Sequence, residues 1–229
     1  MTERYAIYYA PAATSDLWDR ASAWLGRDAA NGELFDGVLA GIARSRLLNL
    51  TQSANRYGFH ATLKPPMALA PGETVDSLRA ALADFARNHQ AVPLGRLRLA
   101  SLDGFLALVP AIDDPALQDF AAHVVENFEP FRAPLTPRAY AARAAADLSP
   151  RQRELLDAYG YPYVFDEFRF HMTLTDRLTP EDEADLRAAA QSWFGPILGE
   201  ELVLDRLVLF HEPETGRPFT RLEDIKLGA

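Results

Sequence analysis

The chain contains no cysteine. Disulfides, thiolate nucleophiles and cysteine-ligated zinc are therefore excluded, although this absence does not by itself fix a cellular compartment. Lysine is almost as scarce, with Lys64 and Lys226 standing against 21 arginines. Positive charge as a whole falls short: 23 Lys plus Arg face 32 Asp plus Glu, for a formal net charge of -9. Long nucleic acids and anionic membrane surfaces are bound mostly through excess positive charge, so neither is expected as the main partner. No run approaches the ~18 to 20 apolar residues of a membrane span, and residues 1–10 lack the long apolar core and cleavage site of a signal peptide. A soluble, cytoplasmic protein is the expectation. What is present is an ordinary globular composition, 48% hydrophobic and 24% charged over 229 residues, suited to one large domain or two intimate lobes.

Hydrophobic periodicity outlines the elements. Tyr5 to Tyr9 reads as a strand, and Asp16 to Leu25 as a helix with Leu17, Trp18, Ala21, Trp24 and Leu25 on one face. Phe59 to Leu63 reads as a strand stopped by Pro65-Pro66, because proline cannot donate to a ladder. Thr74 caps a helix reaching Asn88, and Leu97 to Val109 forms two strands around the hairpin dipeptide Asp103-Gly104. Asp114-Pro115 opens a further helix. Residues 130–150 dissolve into Pro, Ala and Arg and read as an ordered loop or short helical pieces. Ser149 and Thr179 each begin a capping box, the first for a helix carrying Leu155, Leu156 and Tyr159, the second for one carrying Leu186, Ala190 and Trp193. Phe168 to Thr175 reads as a strand, and Leu202 to Phe210 with Pro218 to Leu222 as a closing hairpin.

The order histidine strand, amphipathic helix, hairpin runs from about 58 to 110 and again from about 168 to 222. This suggests an internal duplication, hence a single bilobed domain over residues 1–229 whose halves share one cleft. The strands that open the repeats carry His60-Ala61-Thr62-Leu63 and His171-Met172-Thr173-Leu174. Side chains alternate along a strand. Gly58, His60, Thr62 and Lys64 are thus expected on one face of the first strand, and Arg169, His171, Thr173 and Thr175 on one face of the second. Each strand offers an imidazole, a hydroxyl and a cation.

Such a pair can do general acid and base work, because the imidazole titrates near neutrality and one ring can take a proton while the other gives one up. Hydroxyls and flanking cations suit a phosphoryl group undergoing in-line displacement. Metal-assisted hydrolysis is a weak rival. Two neutral ligands make a poor site, and no Asp or Glu occurs between Gly37 and Gly72. That stretch carries three arginines and Lys64, a locally positive approach hidden within an acidic chain. The motifs suit a small phosphorylated metabolite as partner, with no metal and no cofactor.

The two His-x-Thr motifs, about 110 residues apart on a duplicated scaffold, resemble those of the 2H phosphoesterase superfamily of cyclic phosphodiesterases. The stretches Arg56 to Pro66, Phe131-Arg132-Ala133-Pro134, Gly160-Tyr161-Pro162-Tyr163 and Phe168 to Thr175 resemble more closely its uncharacterised branch found in phosphonate-utilisation operons. The resemblance implies an α+β fold, bilobed, with two antiparallel sheets flanked by helices around a central cleft. It implies metal-independent hydrolysis of a small cyclic phosphodiester, by analogy a ribose cyclic phosphate, with His60 and His171 as acid and base and Thr62 and Thr173 holding the non-bridging oxygens. Superfamily relatives acting on RNA ends or nucleotide 2′,3′-cyclic phosphates leave that chemistry open, as does a non-catalytic relative that only binds a phosphometabolite. Candidate substrate contacts are Lys64, Arg169, Tyr57, Arg56, Arg132 and Tyr163. Arg138 and Arg143 lie in the irregular 130–150 segment, where solvated loop arginines are the common outcome. His89, His123 and His211 read as a helix cap, a helix-face histidine and a loop histidine.

Overall fold

A computed structural model describes residues 3–228. The fold is α+β, with two four-stranded antiparallel sheets. The chain runs through β1 (Arg4–Tyr9), α1 (Asp16–Leu25), α2 (Arg44–Asn49), α3 (Gln52–Tyr57), β2 (Ala61–Met67) and α4 (Val75–Asn88). It continues through β3 (Val92–Leu102), β4 (Phe105–Pro110), α5 (Pro115–Asn127), α6 (Pro137–Ala144), α7 (Pro150–Tyr159) and β5 (Met172–Thr173). It ends with α8 (Pro180–Phe194), β6 (Glu201–Leu204), β7 (Arg206–Glu212) and β8 (Thr220–Lys226).

Local chemistry sets the helix starts. Ser15 accepts from the Trp18 N–H, and Thr74 and Ser149 each close a capping box, with Ser77 and Gln152 returning the bond. Thr179 accepts from the Asp182 N–H. Each cap satisfies a donor that the first helical turn leaves open. The apolar faces then bury. Trp18, Trp24, Leu78, Leu82 and Phe194 are all within 1% of full burial and join one continuous core. Trp24 Nε1 donates to the Leu174 carbonyl at 2.9 Å, tying α1 to the strand after His171.

One sheet has the order β2-β1-β7-β8 and the other β5-β4-β3-β6. Each histidine strand therefore lies at a sheet edge. The hairpin β3-β4, which follows the first histidine, pairs with β5 beside the second; the hairpin β7-β8, which follows the second, pairs through β1 with β2 beside the first. Three expected boundaries shift. Leu202 to Phe210 is not one strand, because the chain leaves one sheet after Leu204 and enters the other at Arg206. The strand expected over 168–175 pairs only at Met172 and Thr173. Pro65-Pro66 does not stop β2, because an edge strand can turn its missing N–H away from the ladder.

Candidate active site

The edge strands β2 and β5 approach one another, and a cleft of about 560 Å³ opens beside them. Its walls include Arg4, Tyr8, Tyr57, Gly58, His60 and Thr62 from the first sheet and its neighbours, and Phe105, Thr173, Thr175 and Arg177 from the second. Arg143 and Tyr161 close one side. His171 is not among the lining residues; its ring lies against Phe105, which is, with centroids 5.6 Å apart, and it is near enough to influence His60 electrostatically.

The two histidines are held in the same way. Each sits one residue before its paired strand. His60 Nδ1 lies 2.8 Å from the Gly58 carbonyl, and His171 Nδ1 lies 2.7 Å from the Arg169 carbonyl. A carbonyl oxygen can only accept, so Nδ1 carries the proton in both rings and Nε2 is left as the reactive nitrogen. His60 Nε2 is 3.2 Å from Thr62 Oγ1, placing hydroxyl and imidazole side by side. The His60 ring stacks on Tyr8 at 3.7 Å. Gly58 makes this possible: its φ is 79°, and a Cβ there would come within 2.7 Å of the Ala29 Cβ. Its backbone can thus turn a carbonyl onto the imidazole where other residues would be strained.

Burial pushes the His60 imidazole down from 6.5 to about 4, with His171 acting in the same direction and the Gly58 carbonyl opposing. Burial also lowers His171, opposed by the Arg169 carbonyl. Both rings are therefore neutral at neutral pH, ready to accept a proton at Nε2. A bound anion would favour the imidazolium form of whichever ring it touches.

The expected cation positions are largely redistributed. Lys64 does not share the histidine face. Tyr8 pairs with Thr62 but Ile7 pairs with Lys64, so Leu63 is an extra residue, a bulge that reverses the alternation. Lys64 is 1% exposed and donates to Glu129 at 2.5 Å and to the Val125 carbonyl at 2.9 Å. Arg132 also binds Glu129, and it donates to the Ala133 and Ala158 carbonyls beneath Gly160. Arg169 lines a separate cavity with Phe168, Phe170 and Asp166. Arg56 binds Glu212 at 2.7 Å and covers the Tyr57 ring at 4.2 Å, outside the cleft wall. Tyr163 is 43% exposed and packs edge-on to Tyr161, which takes the cleft position instead. Of the aromatic candidates Tyr57 reaches the cleft. Arg143 also reaches it, because residues 137–144 form α6 and its guanidinium is held by the Gly160 and Pro66 carbonyls. Tyr8, Arg4 and Phe105 were not singled out by motif. The first two were accessible through strand alternation alone, since Arg4, Ala6 and Tyr8 share a face.

Fold and cleft together define a two-sheet α+β protein that brings a histidine-threonine motif from each sheet edge to one pocket. The chain belongs to the family described as "Protein of unknown function (DUF1045)", whose match spans residues 62–220. It is 38% identical over 228 residues to a protein named ribose 1,5-bisphosphate phosphokinase PhnN from Janthinobacterium sp. (strain Marseille), covering 97% of this chain and 50% of that protein. It is 36% identical over 219 residues to the protein of the same name from Laribacter hongkongensis (strain HLHK9), covering 94% of this chain and again 50% of the relative. The chain thus spans about half the length of the curated relatives it matches. Among solved structures, E. coli LigT complexed with NADP+ is 12% identical with a TM-score of 0.47, covering 100% of this chain and 99% of that one. LigT with 3′-AMP is 13% identical with the same TM-score and full coverage of both chains. A structure described as a phosphoesterase is 14% identical with a TM-score of 0.42, again over the whole of both chains.

Proposed function

We propose that the chain is a metal-independent phosphoesterase that hydrolyses a small cyclic phosphodiester to a monoester by two-histidine acid and base catalysis. The observation that carries this reading is the matched pair of imidazoles, each fixed at Nδ1 by the carbonyl two residues earlier and each followed by a threonine that lines the cleft. One Nε2 takes a proton from water as its oxygen forms a bond to phosphorus. The other, protonated once the anionic diester is bound, gives its proton to the departing sugar oxygen as that P–O bond breaks. The hydroxyls of Thr62 and Thr173 donate to the non-bridging oxygens, where charge gathers in the transition state.

The PhnN name of the curated relatives supports a phosphorylated ribose as the organic part, consistent with a place in phosphonate metabolism. A small intracellular metabolite of that kind fits a cytoplasmic enzyme. The histidine repeats at about 58–110 and 168–222 are then the catalytic halves of one bilobed domain, the exchange of their hairpins holding them together.

The test is a screen of ribose and nucleoside cyclic phosphates with phosphorus NMR readout, since ring opening shifts the signal and identifies the oxygen that left. Ring opening that disappears in His60→Ala and in His171→Ala, with the fold intact by circular dichroism, is the expected result. Near-wild-type turnover in either variant would sink the mechanism.

A further inference from the structure

The reacting phosphoryl group has its partners in the two histidines and two threonines, yet the cleft holds more positive charge than those contacts use. Arg4 and Arg143 both line it, from different elements, β1 and α6. Arg4 is anchored by Glu212 at 2.5 Å, and that buried carboxylate also serves Arg56 at 2.7 Å and the Gly216 N–H at 2.9 Å. One carboxylate thus answers two guanidinium groups. Arg143 is oriented by two carbonyls, those of Gly160 and Pro66, and by no carboxylate among the described residues. Behind them Lys64 and Arg132 share the single carboxylate of Glu129. Arg177 lines the cleft as well, so six cations meet three carboxylates here, those of Glu212, Glu129 and Asp176, in a chain whose net charge is -9. Asp176 lines the cleft too and keeps its charge, its carboxylate accepting from the Ser53 N–H on the α3 side.

Three tyrosines complete the arrangement. Tyr8, Tyr57 and Tyr161 line the cleft and influence one another, and Arg4 and Arg143 are within electrostatic reach of them. Burial lowers the Arg143 pKa, and repulsion from Arg4 and Arg132 adds to this. A half-buried guanidinium without a counter-ion raises the energy of the folded state, and a bound anion offsets that cost.

The geometry also separates this charge from the histidines. Arg4 pairs with Glu212 across β1 and β7, whereas Tyr8, on which His60 stacks, pairs with Val208. The four residue steps from Arg4 to Tyr8 place the two backbone positions about 13 Å apart along the strand. Glu212 holds the Arg4 guanidinium at its own end.

We propose that Arg4, Arg143, Tyr57 and Tyr161 form a second anion subsite, and that the substrate is a cyclic phosphodiester bearing a second phosphoryl group remote from the reacting ring. This rests on the reading of the cleft as a phosphoesterase site. Arginine forks match phosphate oxygens bidentately, and tyrosine hydroxyls supply further donors. The subsite sets which cyclic phosphate is used.

The test compares 2′,3′-cyclic AMP with the same compound carrying a 5′-phosphate. Two quantities are read: the ratio of kcat/KM for the probes in otherwise native protein, and the ratio of their Kd values by calorimetry in a His60→Ala/His171→Ala background. At least a tenfold preference for the phosphorylated probe is expected in both. Arg143→Gln should bring both ratios below about threefold, and Tyr161→Phe, a milder change that keeps the ring, should lower them by about threefold. Equal handling of the two probes, undetectable binding of the phosphorylated one, or ratios unmoved by both substitutions would overturn the subsite. A binding preference without cleavage by the native protein supports the subsite and defeats the hydrolytic reading; cleavage without preference does the reverse.

Discussion

Acidification from pH 7 toward pH 4.5 probes the environment of His60 directly. In the folded protein burial holds this imidazole at about 4, against the ordinary value of 6.5 in an unfolded chain. Below pH 6.5 the unfolded state therefore takes up a proton that the folded state refuses. The stability tied to the neutral ring is complete above pH 6.5 and is lost as the pH falls toward 4. At about 1.4 kcal/mol per pH unit, the full drop corresponds to about 3 kcal/mol, most of it reached by pH 4.5. Carboxylates titrate over part of the same range, so the informative quantity is a difference. Urea unfolding of the native chain and of His60→Gln, measured every half unit from pH 7.5 to 4.5, should give curves that converge as the pH falls, by about 2 to 3 kcal/mol. Gln keeps a polar side chain and does not titrate. Curves that stay parallel would mean that His60 is as easily protonated in the folded protein as in water, and the claim of a ring kept neutral for proton transfer would fail with it.

Other consequences can be checked with single variants. Gly58→Ala should lower kcat/KM at least tenfold and cost about 1 to 3 kcal/mol of stability, because the positive φ and the 2.7 Å approach to Ala29 forbid the backbone that seats His60; activity within twofold of native would show that the Gly58 carbonyl does not position the ring. Glu212→Gln should cost about 3 to 5 kcal/mol in chemical denaturation, since it removes a fully buried carboxylate serving two arginines. Lys64→Met should lower stability by about 1 to 3 kcal/mol while leaving KM within twofold, because this lysine answers Glu129 rather than the cleft; a large rise in KM would return it to the substrate. Incubation with EDTA should leave turnover unchanged, and strict loss restored by a divalent ion would favour metal-assisted chemistry.

The parts legible in the sequence are those governed by local chemistry. The cap at Thr74, the capping box at Ser149, the strand around Tyr5 to Tyr9 and the α+β character all follow from short-range pattern. The motifs His60-x-Thr62 and His171-x-Thr173 likewise announced themselves by repetition, and the structure brings them to neighbouring edges. What escaped depends on register and on long-range partners. Nothing in Ala-Thr-Leu-Lys says that Leu63 is a bulge, so the inward turn of Lys64 toward Glu129 could not be read from alternation. Arg4 acquires its place through Glu212, a residue 208 positions away. Arg143 looked like a loop arginine because α6 is short, rich in alanine and buries no residue of its own; only the Gly160 and Pro66 carbonyls fix where it points.

The exchange of hairpins between the two sheets bears on how the chain reaches its folded state. During synthesis β1 emerges before the other strands of this fold and can find β2 within some sixty residues, but the strand that covers its other side, β7, is not made until about two hundred residues later. Until then one side of β1 offers unpaired backbone groups, the kind of open ladder that recruits wrong partners. Contacts of such long sequence separation slow folding. The first sheet is thus finished last, and its histidine acquires a settled platform only once β7 has been made. Halting translation after residue 170 would leave a nascent chain with His60 present and no stable sheet behind it, a species for chaperones to hold rather than a half-enzyme.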